Sequence, residues 1–130
     1  MLGNTHCDDE RMKKEDVKTE KDVVRFLSEQ ARRTEFERKV LVATFRIPTG
    51  KISTYKRIAE KIGCPRAYRA VANALHKNPL APIVPCHRVI RSDGKFGGES
   101  KDAESRRKLV GQEGVPLEND QVKINDRILY

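Results

Sequence analysis

The sequence predicts a mainly α domain with a few short strands. Three observations carry this. Apolar residues recur at helical spacing in three consecutive segments between residues 34 and 76. Gly- and Pro-containing turns separate those segments. The apolar runs that follow, Ile83-Val84 and Val89-Ile90, are too short for more than brief strands.

The first of these helices opens at Thr34-Glu35-Phe36-Glu37, a capping-box pattern with Thr34 at the N-cap, and places Phe36, Val40, Leu41 and Thr44 on one face. It must stop before the turn Ile47-Pro48-Thr49-Gly50. Thr54 caps the second, whose stripe is Tyr55, Ile58, Ala59 and Ile62, and Gly63 with Pro65 ends it. The third is expected over roughly Arg66 to His76, with Ala67, Ala70, Val71, Ala74 and Leu75 inward, closed by Asn78-Pro79. The second and third, joined by Gly63-Cys64-Pro65, read as a helix-turn-helix or as a plain helical hairpin with a solvated face. Asp93-Gly94 is a turn, a last helix is expected from Ala103 to Gly111 with Leu109 and Val110 inward, and residues 122–130 alternate enough for a short strand or hairpin.

At 130 residues, one domain is expected, with a tail over residues 1–25 and the folded domain over 26–130. Residues 1–22 hold seven acids and five bases, whereas the whole chain carries a net charge of +8. The remainder is therefore strongly basic, which suits a polyanionic partner such as nucleic acid as well as a merely solvated basic surface. No stretch approaches the roughly 20 apolar residues of a membrane span, and no apolar signal segment opens the chain, so an intracellular protein (cytoplasmic or nuclear) is expected. Cys7, Cys64 and Cys86 form no CxxC pair, which argues against a disulfide framework or a Cys-built metal site.

Pro85-Cys86-His87-Arg88 carries the chemistry. A thiol attacks as thiolate, and at its usual pKa of about 8.5 little is ionised near neutrality. A neighbouring His can take the proton, a cation such as Arg88 can stabilise the anion, and a carboxylate can orient the imidazole. A Cys-His dipeptide by itself is weak evidence, since adjacent side chains often point apart.

Its surroundings are more specific. Ile47-Pro48-x-Gly50, Thr54-Tyr55, Arg69-Ala70-Val71, Asn78-Pro79, Pro85-Cys86-His87-Arg88-Val89 and Glu113-Gly114 follow in an order and spacing that resembles the O6-alkylguanine-DNA alkyltransferases, or methylated-DNA–protein-cysteine methyltransferases, most strongly over residues 34–117. The resemblance implies a winged-helix, helix-turn-helix-like DNA-binding domain. It implies irreversible, stoichiometric transfer of an alkyl group from O6 of a flipped guanine in duplex DNA to Cys86, without cofactor or metal. His87 would take the thiol proton through a water, with Glu113 orienting it. Tyr55 would press on the 3′ phosphate and donate a proton toward guanine N3. Arg69 would fill the vacated stack, and Arg66, Ala70 and Arg88 would join it at the DNA. Asn78 would be the hinge, with Pro85 and Ser100 at the pocket. Binding would be in the minor groove, with little sequence specificity, by a monomer.

Two departures stand out. The 33 residues before Thr34 are too few for the ribonuclease-H-like domain that many members carry, so a minimal catalytic domain or a piece of a longer or fused protein is expected. In the active-site loop, Glu99-Ser100-Lys101-Asp102 stands where an aromatic residue, Ser and two Gly are usual. Lys101 there would crowd a large O6 substituent or contact a phosphate. Alkyltransferase-like proteins share the fold and bind the lesion without transferring the alkyl group. They typically have Trp at the nucleophile position, whereas this chain has Cys86.

Overall fold

The computed structural model describes residues 12–30, 33–96 and 100–130, the side chains of Ser100 and Asp102 excepted. The expectations for residues 1–11, including Cys7, lie outside the described residues.

After a 3₁₀ turn at Lys14–Asp16 come helices α1 (Glu20–Ser28) and α2 (Glu35–Phe45). The short strand β1 (Ser53–Thr54) runs directly into α3 (Tyr55–Lys61), and α4 (Tyr68–His76) follows. A 3₁₀ turn at Cys86–Arg88 leads into β2 (Val89–Ile90). Then come α5 (Ser100–Gln112) and the hairpin β3 (Leu117–Glu118) and β4 (Gln121–Val122). The expected mainly α, helix-turn-helix class is what the chain adopts, with α3 and α4 as the pair.

Local chemistry explains the element ends. Thr34 accepts a hydrogen bond from the Glu37 amide at 3.1 Å, and Thr54 does the same for Arg57 at 3.1 Å. The Glu37 side chain does not reach back to the cap amide as a capping box requires. It pairs with Arg33 at 3.2 Å instead, because a nearby cation competes for it. At the far end of α3, Gly63 takes φ +82, with Cys64 N–H donating to Ala59 O and Gly63 N–H to Glu60 O, a Schellman motif.

The main core joins α1, α2, α3 and α4 through Val23, Leu27, Val40, Leu41, Ile58 and Val71, all fully buried. Val17 and Val23 belong to this core, so the packed domain begins before residue 26. The dense charges of this stretch obscured its single apolar face: Val23 and Leu27 are one helical turn apart, and Thr19 with Asp22 forms a complete capping box.

A second core of Ile52, Ile90, Val110, Val115 and Val122 holds β1, β2, α5 and the hairpin together. β1 pairs in parallel with β2, Ser53 opposite Val89 and Thr54 opposite Ile90. On the other side Ile52 exchanges backbone hydrogen bonds of 2.7 Å with Ile128 and Tyr130, so the chain's last residues brace β1 as well.

Two helix starts and the facing of two residues differ from expectation. α4 starts at Tyr68 rather than Arg66, because Ala67 has no side chain to cap it and its backbone is already non-helical. Ala70 lies on the exposed side of α4, away from buried Val71, Ala74 and Leu75. α5 starts at Ser100, and Leu109 is 40% exposed while Val110 is fully buried. Adjacent residues on a helix are about 100° apart, so both could not face the small second core.

Two glycines at positive φ should respond differently to alanine. A Cβ at Gly63 meets nothing within 4 Å, so Gly63→Ala should cost about 1 kcal/mol through the left-handed backbone alone. A Cβ at Gly94, φ +86, would lie 2.5 Å from the Val122 carbonyl oxygen. Gly94→Ala should therefore cost about 3 kcal/mol or more, since the overpacking adds to the backbone penalty. Urea unfolding of both variants checks the order, and equal losses would show that the hairpin yields.

Candidate active site

The site begins with how the chain approaches Cys86. α4 ends in Asn78, whose side-chain amide donates to Val84 O at 2.8 Å while its carbonyl oxygen accepts from the Leu80 amide at 2.9 Å. One side chain thus clips both ends of the segment between α4 and Cys86. Pro85 follows with φ −82 and ψ 71, and the Cys86 amide donates back across it to Val84 O at 2.9 Å. That is an inverse γ-turn, for which proline's fixed φ is already suited. It delivers Cys86 into the 3₁₀ turn with its side chain partly exposed and the neighbouring His87 buried.

The two residues after Cys86 belong to a charge cluster with Glu113. His87 Nε2 is 2.9 Å from Glu113 Oε2. Arg88 grips the same carboxylate with two bonds, Nε to Oε1 and Nη2 to Oε2, both 2.8 Å. Its remaining reach goes to Ile47 O at 2.7 Å and Thr49 Oγ1 at 3.0 Å. Arg88 therefore does not join the exposed cations of α4 as a surface contact. Its guanidinium is turned inward, where four acceptors from two distant turns take it up. Burial pushes the Glu113 carboxyl up, but hydrogen bonds from Arg88 and His87, with the charges behind them, outweigh it and hold the group down at about 2. An ionised Glu113 only accepts, so Nε2 must carry the imidazole proton, which leaves Nδ1 free to accept one.

Tyr55, at the start of α3, is 8% exposed with its hydroxyl buried. Burial pushes the phenol's pKa up, and the Arg106 guanidinium pulls it back. Cys86 is near enough to add to the rise. No hydrogen bond of good geometry ends on the hydroxyl among the described residues, although Arg106 lies close enough to act on it. We read the pair as a charge contact rather than a formed bond. A cleft of about 340 Å³ opens beside Tyr55, lined also by Lys56, Tyr68, Arg91, Ser92 and Asp93.

Tertiary structure thus brings Cys86, His87, Glu113, Tyr55, Asn78 and Pro85 into one region. Arg66, Arg69 and Ala70 lie apart from it on the exposed side of the helix-turn-helix. Ser100 opens α5, and its side chain lies outside the described residues. Lys101 is exposed on the first turn of α5, so its ammonium sits in solvent rather than filling a closed pocket. Arg106 was not singled out by the sequence reading. Its signal was the seven-residue spacing to Glu113, two helical turns on α5, which carries both toward the Cys86 turn. Among the described residues no group of His, Cys, Asp and Glu is arranged to hold a metal ion.

The charge cluster should reveal itself in acid. Glu113's folded value of about 2 lies below the ordinary 4.5. Its contribution is complete above pH 4.5 and is lost as pH falls toward 2, amounting to about 3 kcal/mol. Glu113→Gln should be less stable at neutral pH and lose that part of the acid dependence. Chemical denaturation at a series of pH values from 7 to about 2 tests this, and parallel curves for the two proteins would show that Glu113 is not held ionised.

Comparison with known proteins bears on this geometry. The family described as 6-O-methylguanine DNA methyltransferase, DNA binding domain, matches residues 35–115. A methylated-DNA–protein-cysteine methyltransferase of Methanosarcina barkeri is 57% identical over 65 residues, 50% of this chain and 41% of its own length. One from Methanothermobacter thermautotrophicus is 42% identical over 65% of this chain and 47% of its own. The chain thus spans about half the length of these curated relatives. Among solved structures, Mycobacterium tuberculosis OGT in complex with DNA superimposes with TM-score 0.60 and 44% identity over 63% of this chain and 51% of that one. Schizosaccharomyces pombe Atl1, bound to damaged DNA containing O6-carboxymethylguanine, gives TM-score 0.65 and 32% identity over 76% of this chain and 97% of that one. On the match over residues 35–115 and these overlaps, the chain belongs to the 6-O-methylguanine DNA methyltransferase family, by its DNA-binding domain.

Proposed function

We propose that this protein repairs O6-alkylguanine in duplex DNA by taking the alkyl group onto Cys86 and is consumed in doing so. The observation that carries this reading is a partly exposed Cys86 followed in the same turn by a buried His87 whose imidazole is bonded to a Glu113 carboxylate that Arg88 also grips. His87 Nδ1 accepts the thiol proton, directly or through a water, and Glu113 stabilises the resulting imidazolium. The Cys86 sulfur then forms a bond to the alkyl carbon as the carbon–O6 bond breaks, and the electron pair leaves on guanine O6. Tyr55 donates a proton toward guanine N3, which improves the leaving group, and Arg106 is placed to favour the tyrosinate that results. A thioether does not readily release its alkyl group, so each molecule acts once. No cofactor enters the balance.

O6 of guanine lies within the base stack, so the nucleotide must swing out at a cost of a few kcal/mol. The exposed side of α4 and the turn before it offer what that requires. Arg69 can enter the vacated space, Ala70 permits close approach in the minor groove, and Arg66 can meet a phosphate. The first turn of α4 has no acidic residue and no side-chain cap, so its positive end is open to a phosphate as well. These contacts read backbone and groove shape, so little sequence preference is expected. Asn78 couples this helix to the Cys86 turn.

The similarity to Atl1 along nearly the whole of that protein favours a second reading, lesion binding without efficient transfer. Intact-mass measurement after incubation with O6-methylguanine duplex separates the two. One added methyl, about 14 Da, is expected on Cys86, and none in Cys86→Ser. Tight lesion binding with no mass change would establish the second reading.

Flipping has its own test. Arg69→Ala should slow repair of duplex DNA by about tenfold or more relative to reaction with free O6-methylguanine base, which needs no extrusion. Single-turnover rates on both substrates decide it. Equal losses would assign Arg69 to the fold or the pocket instead.

A further inference from the structure

We propose that the groove between α1, α2 and the C-terminal end of α3 is a docking site for an acidic, amphipathic peptide segment of a partner protein. The groove encloses about 770 Å³ and shares no lining residue with the Cys86 cluster or with the cleft beside Tyr55. Its floor is apolar, formed by Val24, Leu27, Val42 and Ile62, and Val24 is 50% exposed. Its rim carries four cations, Arg38, Lys39, Arg46 and Lys61.

The charge balance of this groove is one-sided. Lys39 has Glu35 at 3.4 Å, and Arg46 is bonded to Glu20. Arg38 and Lys61 face no carboxylate among the described residues. The Arg38 Nε is buried and has no hydrogen-bond acceptor among the described residues. Lys61 Nζ lies 3.7 Å from the centroid of the Tyr130 ring at the groove's edge, which holds the ammonium at the rim.

A carboxylate at this rim would offer Arg38 and Lys61 the ion pair that neither has among the described residues. The floor then asks for apolar side chains from the same ligand. A nucleic-acid backbone supplies the negative charge but leaves the Val and Leu floor uncovered, and the one aromatic ring there already carries Lys61. An acidic peptide helix with apolar residues at i and i+4 supplies both, by the groove-binding mode in which an apolar stripe anchors and flanking charges select. This site is independent of alkyl transfer.

Fluorescence anisotropy with a fluorescein-labelled peptide carrying Leu at i, i+4 spacing among Glu residues tests the proposal, against its scrambled isomer. Saturable binding of the patterned peptide is expected, with the scrambled one about tenfold weaker or worse. Lys61→Glu and Val42→Asp should each weaken binding by a similar factor, while urea unfolding and methylation of Cys86 stay as in the unaltered protein. Lys61→Glu alone suffices if Val42→Asp disturbs packing, because Lys61 lies at the surface. Equal affinity for the scrambled peptide, or no loss in Lys61→Glu, would overturn the proposal. Sedimentation showing self-association that Lys61→Glu abolishes would replace the partner peptide with a second copy of this chain.

Discussion

The Glu113 carboxylate is the interaction on which the rest of the site depends. Its two oxygens serve His87 and both arms of Arg88, and Arg88 in turn holds the turn at Ile47 and Thr49. Three segments far apart in the chain are thereby fixed to one another: the turn after α2, the Cys86–Arg88 turn, and the end of α5. The cluster is affordable because the charges are matched and nearly every donor on Arg88 has an acceptor. Removing one partner would leave a half-buried charge alone, which costs far more than the pair gains.

That arrangement also fixes the imidazole. A carboxylate kept ionised in this way can only accept, so it selects the His87 tautomer whose outer nitrogen is basic. Arg88 has a structural task here rather than a surface one, and its charge is spent on Glu113. The thiol is presented separately by backbone means, a proline-centred γ-turn clipped by Asn78. In the proposed reaction, positioning of the nucleophile and tuning of its base thus rest on different residues, joined through the short turn they share.

In the proposed function, Asn78 also links the helix that faces DNA to the chemistry. α4 presents Arg69 and Ala70 outward, beside Arg66 in the turn before it, while its buried residues pack in the main core. Its C-terminal exit is the Asn78 clip. In the proposed function, a displacement of α4 on a bound duplex would reach the Cys86 turn through hydrogen bonds of 2.8 and 2.9 Å rather than through a loose loop.

Much of this was legible in the chain because it is local. The caps Thr34 and Thr54, the Schellman glycine Gly63 and the stripes of α2 and α3 each follow from residues within a few positions of one another. The ordered motifs around Cys86 carried the resemblance to the family that residues 35–115 match. α1 was hidden because only two of its residues face inward among many charges, and its helix is recognisable only once the core that takes Val23 and Leu27 exists. The inward turn of Arg88, the exposure of Leu109 and Ala70, and the approach of Arg106 to Tyr55 depend on how α5 and α4 lie against the rest. The sequence by itself determined the helix pair of α3 and α4, the caps at Thr34 and Thr54 and the stop at Gly63, since those follow from spacing and turn chemistry. Only the tertiary structure decided which cations face solvent and which are consumed in the interior, because a guanidinium's partner is set by what lies within a few ångströms of it, and those neighbours come from 25 and 41 residues away.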